Sequence, residues 1–191
     1  MSSGEDVAAN ESGHEVNPTA ASLLGFLHDG PLTGWNLVAR AERTIGPFWS
    51  LTRSQVYREL ALMAQHGLVE AGPAGRRDAR PYAITDTGRA AFARWAAKGP
   101  DEATMRLPLL LFVVLGRHMA PGLLADVLRD QRAHQAALLA EYQKVRREVD
   151  RLRQQDPDAV DPHLVATLDF GISTARATVR WIDHLPPDLG N

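Results

Sequence analysis

Residues 52–67 have the sequence TRSQVYRELALMAQHG, and this stretch decides the fold of the chain. Thr52 can cap the first turn of a helix, and Gln55, three residues later, can reach back to the backbone amide of the cap. Gly67 can adopt the left-handed conformation that ends a helix. The sequence therefore predicts a helix over residues 52–66.

The predicted helix has one apolar and one polar face. An apolar stripe recurs at i, i+4 and i+7: Val56, Leu60 and Met63. At about 100° per residue, the opposite side holds small, polar or cationic residues: Ser54, Gln55, Arg58 and Ala61. Such a face suits a DNA groove, but it also suits an ordinary solvent-exposed helix. The neighbouring segments have to decide between the two.

Composition excludes several classes of protein. The 191 residues contain no cysteine, which rules out disulfides and thiolate metal sites. The N-terminal segment is acidic and polar and does not resemble a signal peptide. The longest apolar run, residues 107–115, contains Pro108 and is too short to span a bilayer. We therefore expect a cytoplasmic protein with no membrane partner.

Charge is spread unevenly along the chain. Residues 1–18 carry four acidic and no basic side chains, residues 19–98 have a net charge of +4, and residues 99–191 have a net charge of −2. A basic middle segment between acidic flanks suits a module that faces phosphates. Because the excess is modest, charge alone does not assign the function.

The segments around the central helix complete a winged helix-turn-helix. Three more helices are predicted, over residues 19–29, 33–45 and 86–98. Short strands at 68–70 and 80–85 pair as a two-stranded hairpin, the wing, whose tip carries arginines. An apolar turn precedes the central helix and contains Phe48, Trp49 and Leu51. We expect these side chains to pack at the edge of the core. The order helix, helix, turn, helix, hairpin, helix is that of a winged helix-turn-helix.

The central helix occupies the position that enters the major groove in helix-turn-helix proteins. Three of its residues would lie nearest base edges: Ser54, Gln55 and Arg58. Six residues would hold phosphates: Thr52, Arg53, Tyr57, Arg76, Arg77 and Arg80. The alternative is a winged-helix protein–protein or architectural module without specific DNA binding. Arg58 and Ser54 argue against that alternative, whereas Leu62 on the polar side argues for it.

The second half of the chain is predicted to be helical, with helices over residues 101–118, 124–155 and 160–184. The middle helix carries a heptad seam with two polar breaks, Gln131 and Gln135. We expect two of these helices to form an antiparallel pair that packs on a second copy; the alternative is a three-helix bundle in a monomer. The predicted dimer interface comprises Leu124, Leu128, Leu138, Tyr142, Val145, Val149, Leu152, Leu168, Ile172 and Val179.

No motif of catalysis or nucleotide binding is present, so we expect neither an enzyme nor a cofactor. Asp130 and His134 stand at i, i+4 and are interpreted as a local polar pair rather than metal ligands. Four aromatic residues are candidates for an effector pocket, although core packing is the favoured explanation for each: Trp35, Trp49, Phe112 and Trp181.

Residues 23–95 resemble the DNA-binding domain of PadR-family transcriptional regulators. The matching segments are residues 34–37, 51–60, 66–70 and 80–89. The most specific features are Tyr57, the sequence Gly67-Leu68-Val69 after the central helix, and the run of Tyr82, Thr85 and Gly88. Trp35 stands where the family usually has a tyrosine, and Pro81 also departs from the pattern.

The resemblance implies a mainly α protein. We expect a flexible tail over residues 1–18, a winged helix-turn-helix over 19–98, a helical dimerisation domain over 101–185 and a tail over 186–191. It also implies a homodimeric repressor on palindromic double-stranded DNA, released by a small aromatic effector. By the same resemblance, Tyr57 would help to fix the recognition helix on DNA. Its angular position between the buried stripe and the outward face leaves open whether it belongs to the core or to the contact, and a packed ring with its hydroxyl outward would satisfy both.

Overall fold

The computed structural model describes residues 16–73, 80–100, 106–186 and 189. The chain forms two compact units, Met1–Ala103 and Thr104–Asn191. The wing arginines Arg76 and Arg77 lie outside the described residues, as does most of the predicted N-terminal tail. In the described part the chain is mainly helical and has one small antiparallel sheet, which confirms the predicted fold class.

The helices of the first unit lie close to their predicted positions. They are α1 (Pro18–Leu27), α2 (Gly34–Thr44), α3 (Arg53–Gln65) and α4 (Asp86–Lys98). Each is capped by a side chain that accepts a hydrogen bond from a backbone amide of the first turn: Asn17, Thr33, Thr52 and Thr85. α1 starts one residue earlier than predicted because Asn17 caps it and proline is favoured at the first helical position.

The predicted boundaries of the central helix are confirmed by its hydrogen bonds. The backbone amide and hydroxyl of Thr52 donate to Oε1 of Gln55 at 2.8 and 2.9 Å, and the Gln55 amide donates to Oγ1 of Thr52 at 3.2 Å. This is a capping box. At the other end Gly67 has a φ of 66°, in the left-handed region. The apolar stripe of α3 is fully buried.

We expect Thr52→Ala to lower the free energy of unfolding by about 1 kcal/mol. The substitution removes the acceptor for the Gln55 amide and leaves a first-turn donor unsatisfied. Urea denaturation measures the change. Thr44→Ala is the control, because that hydroxyl only donates to the Arg40 carbonyl within α2, and it should cost less than about 0.5 kcal/mol. Equal losses in the two variants would remove the capping box as the cause.

The wing is part of a three-stranded sheet rather than the two-stranded hairpin predicted. Its strands are β1 (Leu32–Thr33), β2 (Val69–Ala71) and β3 (Pro81–Ile84), in the order β1-β3-β2. The β2–β3 hairpin is confirmed, with Val69 opposite Ile84. β1 pairs antiparallel to the far side of β3, with Leu32 opposite Tyr82. Two residues are too few to show a strand pattern, so β1 could not be predicted from periodicity.

The core of the first unit lies between α1, α2, α3, α4 and the sheet. Its largest fully buried side chains are Leu23, Leu24, Leu27, Leu37, Val56, Leu60 and Met63. The apolar turn behaves differently from the prediction: Leu51 packs against the core, but Phe48 and Trp49 are exposed. The amides of Phe48 and Trp49 donate to the Ile45 carbonyl at 3.0 and 2.7 Å, so the chain turns tightly at the end of α2 and leaves both rings outside.

The second unit contains α5 (Pro108–Leu115), a 3₁₀ turn (Gly116–His118), α6 (Leu123–Gln155) and α7 (Pro162–Asp183). α6 and α7 match the two long helices predicted. α5 is shorter than the predicted helix over 101–118, of which residues 101–105 lie outside the described part. Leu107 precedes a proline and is extended, with φ −112° and ψ 96°, so the helix begins at Pro108.

Ion pairs show that α6 and α7 run antiparallel. Nε of Arg146 lies 2.9 Å from Oδ1 of Asp169, and Arg132 pairs with Asp183 nearer the start of α6 and the end of α7. The hydrogen bonds from Arg132 hold the pKa of the Asp183 carboxyl below its usual value. Both pairs are exposed, so they contribute little to stability and mainly report the register of the two helices.

Candidate nucleic-acid interface

The outward face of α3 carries most of the side chains that were predicted to meet bases. Ser54, Arg58 and Ala61 are exposed. Gln55 is half-buried, and its carbonyl oxygen already accepts two hydrogen bonds from Thr52. Its side-chain NH₂ is the group that could still reach a nucleic acid. The polar surface of α3 therefore depends mainly on Ser54 and Arg58.

Tyr57 packs with one side of its ring and exposes the other. A Cβ placed on Gly34, the first residue of α2, would lie 2.6 Å from Cε1 and 2.8 Å from Cζ of Tyr57. The phenol ring therefore lies directly on the backbone of α2, and only glycine permits this approach. The side chain is nevertheless 44% exposed. The ring is therefore partly packed, as expected, but its hydroxyl oxygen lies 3.0 Å from the same Cβ position and is at the packed edge rather than turned outward.

Trp35 lies on the surface beside the first residue of α3. The guanidinium carbon of Arg53 is 4.7 Å from the centroid of the Trp35 ring, and Trp35 is 59% exposed. Sequence reasoning named Trp35 as a candidate for an effector pocket but favoured packing in the core. The core assignment is wrong. The pattern could not show this contact because it joins two elements that are separated by the turn.

The structure describes only part of the wing surface. Arg80 is exposed just before β3, whereas Arg76 and Arg77 lie outside the described residues. The sheet is attached to the end of α3 through Thr85, whose hydroxyl donates to the Gly67 carbonyl at 2.6 Å and accepts from the Gly88 amide at 3.0 Å. The position of the strands relative to α3 is therefore set by hydrogen bonds at the exit of the helix.

Glu59 is a buried acidic residue on α3 that the sequence did not reveal. It is only 5% exposed, and Nδ2 of Asn17 donates to its Oε2 at 3.3 Å. Buried carboxylates are uncommon unless they have a hydrogen-bond partner. Asn17 therefore has two roles, since its Oδ1 also caps α1. The pair joins the start of α1 to the inner side of α3.

In the second unit, much of the predicted dimer seam is occupied within one chain. Leu124, Leu128 and Ile172 are buried. Tyr142 lies against Gly171 of α7, where a Cβ would come within 2.9 Å of its ring. Six other members of the predicted interface are half-buried or exposed: Leu138, Val145, Val149, Leu152, Leu168 and Val179. The heptad seam of α6 is therefore covered in part within one chain, by Gly171 of α7 at Tyr142 and by Gly116 at Leu124.

A different apolar surface is left open. None of the residues of α5 is buried, although its sequence, PLLLFVVL, is entirely apolar. Val114 is 72% exposed and Phe170 on α7 is 70% exposed. Apolar side chains of this number on one short helix usually mark a surface that meets another protein. Sequence reasoning placed this run in a helix over residues 101–118 and judged it too short to cross a membrane, but it did not identify it as an open surface.

Two of the aromatic candidates for an effector pocket belong to the first unit, Trp35 and Trp49, and two to the second, Phe112 and Trp181. Trp49 and Phe112 are exposed and Trp181 is half-buried. A cleft of about 530 Å³ on α6 and α7 is lined by other residues: Gln143, Arg146, Arg147, Asp169, Ile172, Ser173 and Arg176. None of the four aromatic candidates lines this cleft, and the exposure of Trp49 and Phe112 shows that core packing was the wrong expectation for these two residues.

Within residues 16–73, 80–100 and 106–186, no group of three or more His, Asp or Glu side chains is arranged around a common point. No helix in the same part of the chain is both long and apolar enough to cross a bilayer.

Two family models match the chain. The model described as "Transcriptional regulator PadR-like family" matches residues 23–94, and that described as "Virulence activator alpha C-term" matches residues 105–188. The "Probable transcriptional regulator Rv1176c" of Mycobacterium tuberculosis is 32% identical over 180 residues, which cover 88% of this chain and 95% of the relative.

Bacillus subtilis "Negative transcriptional regulator PadR" is a more distant relative, 24% identical over 172 residues that cover 86% of this chain and 93% of that protein. Its structure in complex with operator DNA superposes with a TM-score of 0.70 at 21% identity, covering 86% of this chain and 93% of that one. Its structure in complex with p-coumaric acid gives a TM-score of 0.67 at 20% identity, covering 87% and 94%. At this identity, the superpositions establish a common fold.

Proposed function

Because the chain belongs to the PadR-like family of transcriptional regulators, we propose that it binds specific DNA sequences through α3. The observation that carries the proposal is the exposed face of α3, on which Arg58 and Ser54 stand next to Arg53 and the open side of Tyr57. A cationic, small-residue face of this kind fits the major groove, where arginine can donate two hydrogen bonds to guanine.

Contacts are divided between bases and phosphates. Ser54 and Arg58 would read base edges, and Gln55 would add its free NH₂ group. The side chains of Thr52, Arg53 and Tyr57 would position α3 on the backbone, together with the wing arginines Arg76, Arg77 and Arg80. Phosphate contacts fix the register of the protein on the duplex, and the base contacts supply the sequence preference.

We expect Arg58→Ala to weaken binding to the promoter region of the protein's own gene by about 1–3 kcal/mol, because it removes a base contact. Fluorescence anisotropy with this DNA and with a scrambled duplex measures the loss. Arg94→Ala, which removes an exposed arginine of α4, is the matched control and should bind like the wild type. An equal loss on both duplexes would reassign Arg58 to a phosphate.

The wild-type protein provides the test of the proposal as a whole. A preference for the promoter duplex over the scrambled one at moderate salt is expected. If no preference is found, the protein does not bind specific DNA, and the winged-helix interaction module becomes the better explanation. The exposed Phe48 and Trp49 would then be the first surface to examine for a protein partner.

We further propose that the working form is a homodimer on a palindromic operator in the cytoplasm. The open apolar surface of α5 and the exposed Val145 and Phe170 support a contact with a second copy. Since Leu124, Leu128 and Ile172 are already buried within one chain, α5 is the better candidate for the centre of that contact. A two-fold dimer places two recognition helices on half-sites about one helical turn apart.

We also propose that the protein represses transcription and is released from DNA by a small aromatic effector. This part rests on B. subtilis PadR, which is named a negative regulator and was solved with p-coumaric acid. An effector that favours a different distance between the two winged helix-turn-helix units of the dimer would lower the affinity of the dimer for its operator. Titrating p-coumaric acid and related aromatic acids into the protein–operator complex tests this part. Unchanged operator affinity across the series would remove the effector from the proposal and leave the DNA binding intact.

A further inference from the structure

We propose that Trp35 is a positioning residue for DNA binding, which holds the guanidinium of Arg53 in place for a phosphodiester oxygen of the DNA backbone. The inference rests on the proposed DNA binding by α3. It assigns a role to a tryptophan on α2, outside the recognition helix, and it explains why a large aromatic ring is left on the surface.

Two contacts place the N-terminal turn of α2 beside the outward face of α3. Gly34 lies under the ring of Tyr57, and the next residue, Trp35, lies under the guanidinium of Arg53. Arg53 and Tyr57 are four residues apart on α3 and therefore share one face of the helix. The position of Trp35 is thus set by a packed glycine contact and is not that of a free surface side chain.

Arg53 has its charge available for a ligand. Among the described residues no carboxylate pairs with it, and its guanidinium lies against the face of the Trp35 ring. When a planar guanidinium stacks on a ring, its N–H groups point outward in the guanidinium plane. They can therefore still donate hydrogen bonds to a phosphate that lies in that plane. Arg53 is also the first residue of α3, where the helix dipole favours an anion.

The ring contributes by restricting the arginine before DNA arrives. An exposed arginine samples many rotamers, and ordering it upon binding costs conformational entropy. Stacking on tryptophan, which gives the strongest cation–π interaction among the aromatic side chains, reduces this cost. The expected benefit is about two- to fivefold in operator affinity.

The experiment is a mutant cycle with the full-length protein and its own promoter duplex, measured by anisotropy at several KCl concentrations. We expect Trp35→Ala to weaken binding about two- to fivefold without changing the salt dependence, and Trp35→Phe to restore most of the loss. Arg53→Ala should reduce the slope of log K against log salt by about 1, because one phosphate contact is lost. Trp35→Ala should cost nothing further when combined with Arg53→Ala.

Trp49→Ala is the control, since Trp49 is an exposed tryptophan for which no arginine lies against the ring among the described residues. Thermal melts establish that each variant is folded. An equal loss from Trp35→Ala with and without Arg53 would overturn the proposal, because the ring would then touch DNA itself. Unchanged binding by Trp35→Ala would also overturn it. If the wild type failed to bind the duplex, the DNA-binding proposal itself would fall, which is a distinguishable result.

Discussion

Val114→Glu is expected to convert the protein from a dimer into a monomer and to weaken operator binding by about a hundredfold or more. Val114 lies on α5 and is 72% exposed, more than any other large apolar side chain among the described residues. If α5 packs on a second copy, the glutamate would be buried without a partner, and a buried unpaired charge is strongly unfavourable. The loss of the dimer removes the second half-site, which is the source of the large effect on affinity.

Light scattering at micromolar concentration measures the mass of the wild type and the variant, and anisotropy measures their operator affinity. Gln154→Glu is the control: it adds the same charge to an exposed polar position of α6 and should leave the mass at two chains. A wild-type mass of one chain would refute the homodimer. A two-chain mass for Val114→Glu would show that α5 is not the contact surface.

Gly88→Ala is expected to lower the free energy of unfolding by about 2–3 kcal/mol. A Cβ at Gly88 would lie 2.0 Å from the Leu68 carbonyl oxygen and 2.9 Å from Cγ1 of Ile84. The first of these is a backbone atom and cannot rotate away, so α4 would have to move from the sheet. The movement would also break the hydrogen bonds of Thr85 that join α4, the sheet and the end of α3.

Gly25→Ala is the matched control, because it makes the same substitution within α1. There the new Cβ would meet Cε2 of Phe92 at 3.5 Å, an ordinary contact, and alanine is favoured over glycine in a helix by about 1 kcal/mol. Urea denaturation should therefore show a neutral or stabilising change at position 25 and a loss at position 88. Similar behaviour of the two variants would mean that α4 and the sheet can separate at little cost.

Helix α3 was predictable from its own residues. Thr52 and Gln55 form the capping box that their spacing indicates, and Gly67 ends the helix in the expected conformation. The buried stripe of α3 was also predicted correctly. These features depend on groups within one or two turns of each other, so periodicity and capping chemistry suffice to predict them.

The surroundings of that helix depend on residues that are distant in the chain. The contact between Gly34 and Tyr57 and the stacking of Arg53 on Trp35 each join α2 to α3 across the turn. Glu59 is acceptable in the core because Asn17, 42 residues earlier, donates to it. A hydrophobicity pattern shows which side chains tend to be buried but not which residues they contact. For this reason sequence reasoning assigned Trp35 to the core.

In the second half of the chain, too, the local pattern was predictable and the contacts between distant residues were not. The sequence by itself determined that long amphipathic helices form there, because the heptad spacing of α6 specifies a seam. Only the tertiary structure decided that part of this seam is covered within the same chain, with Tyr142 against Gly171 of α7 and Leu124 against Gly116, and that α5 is left open. A seam specifies the geometry of its partner but not whether the partner belongs to the same chain, and that choice depends on the loop that returns α7 along α6.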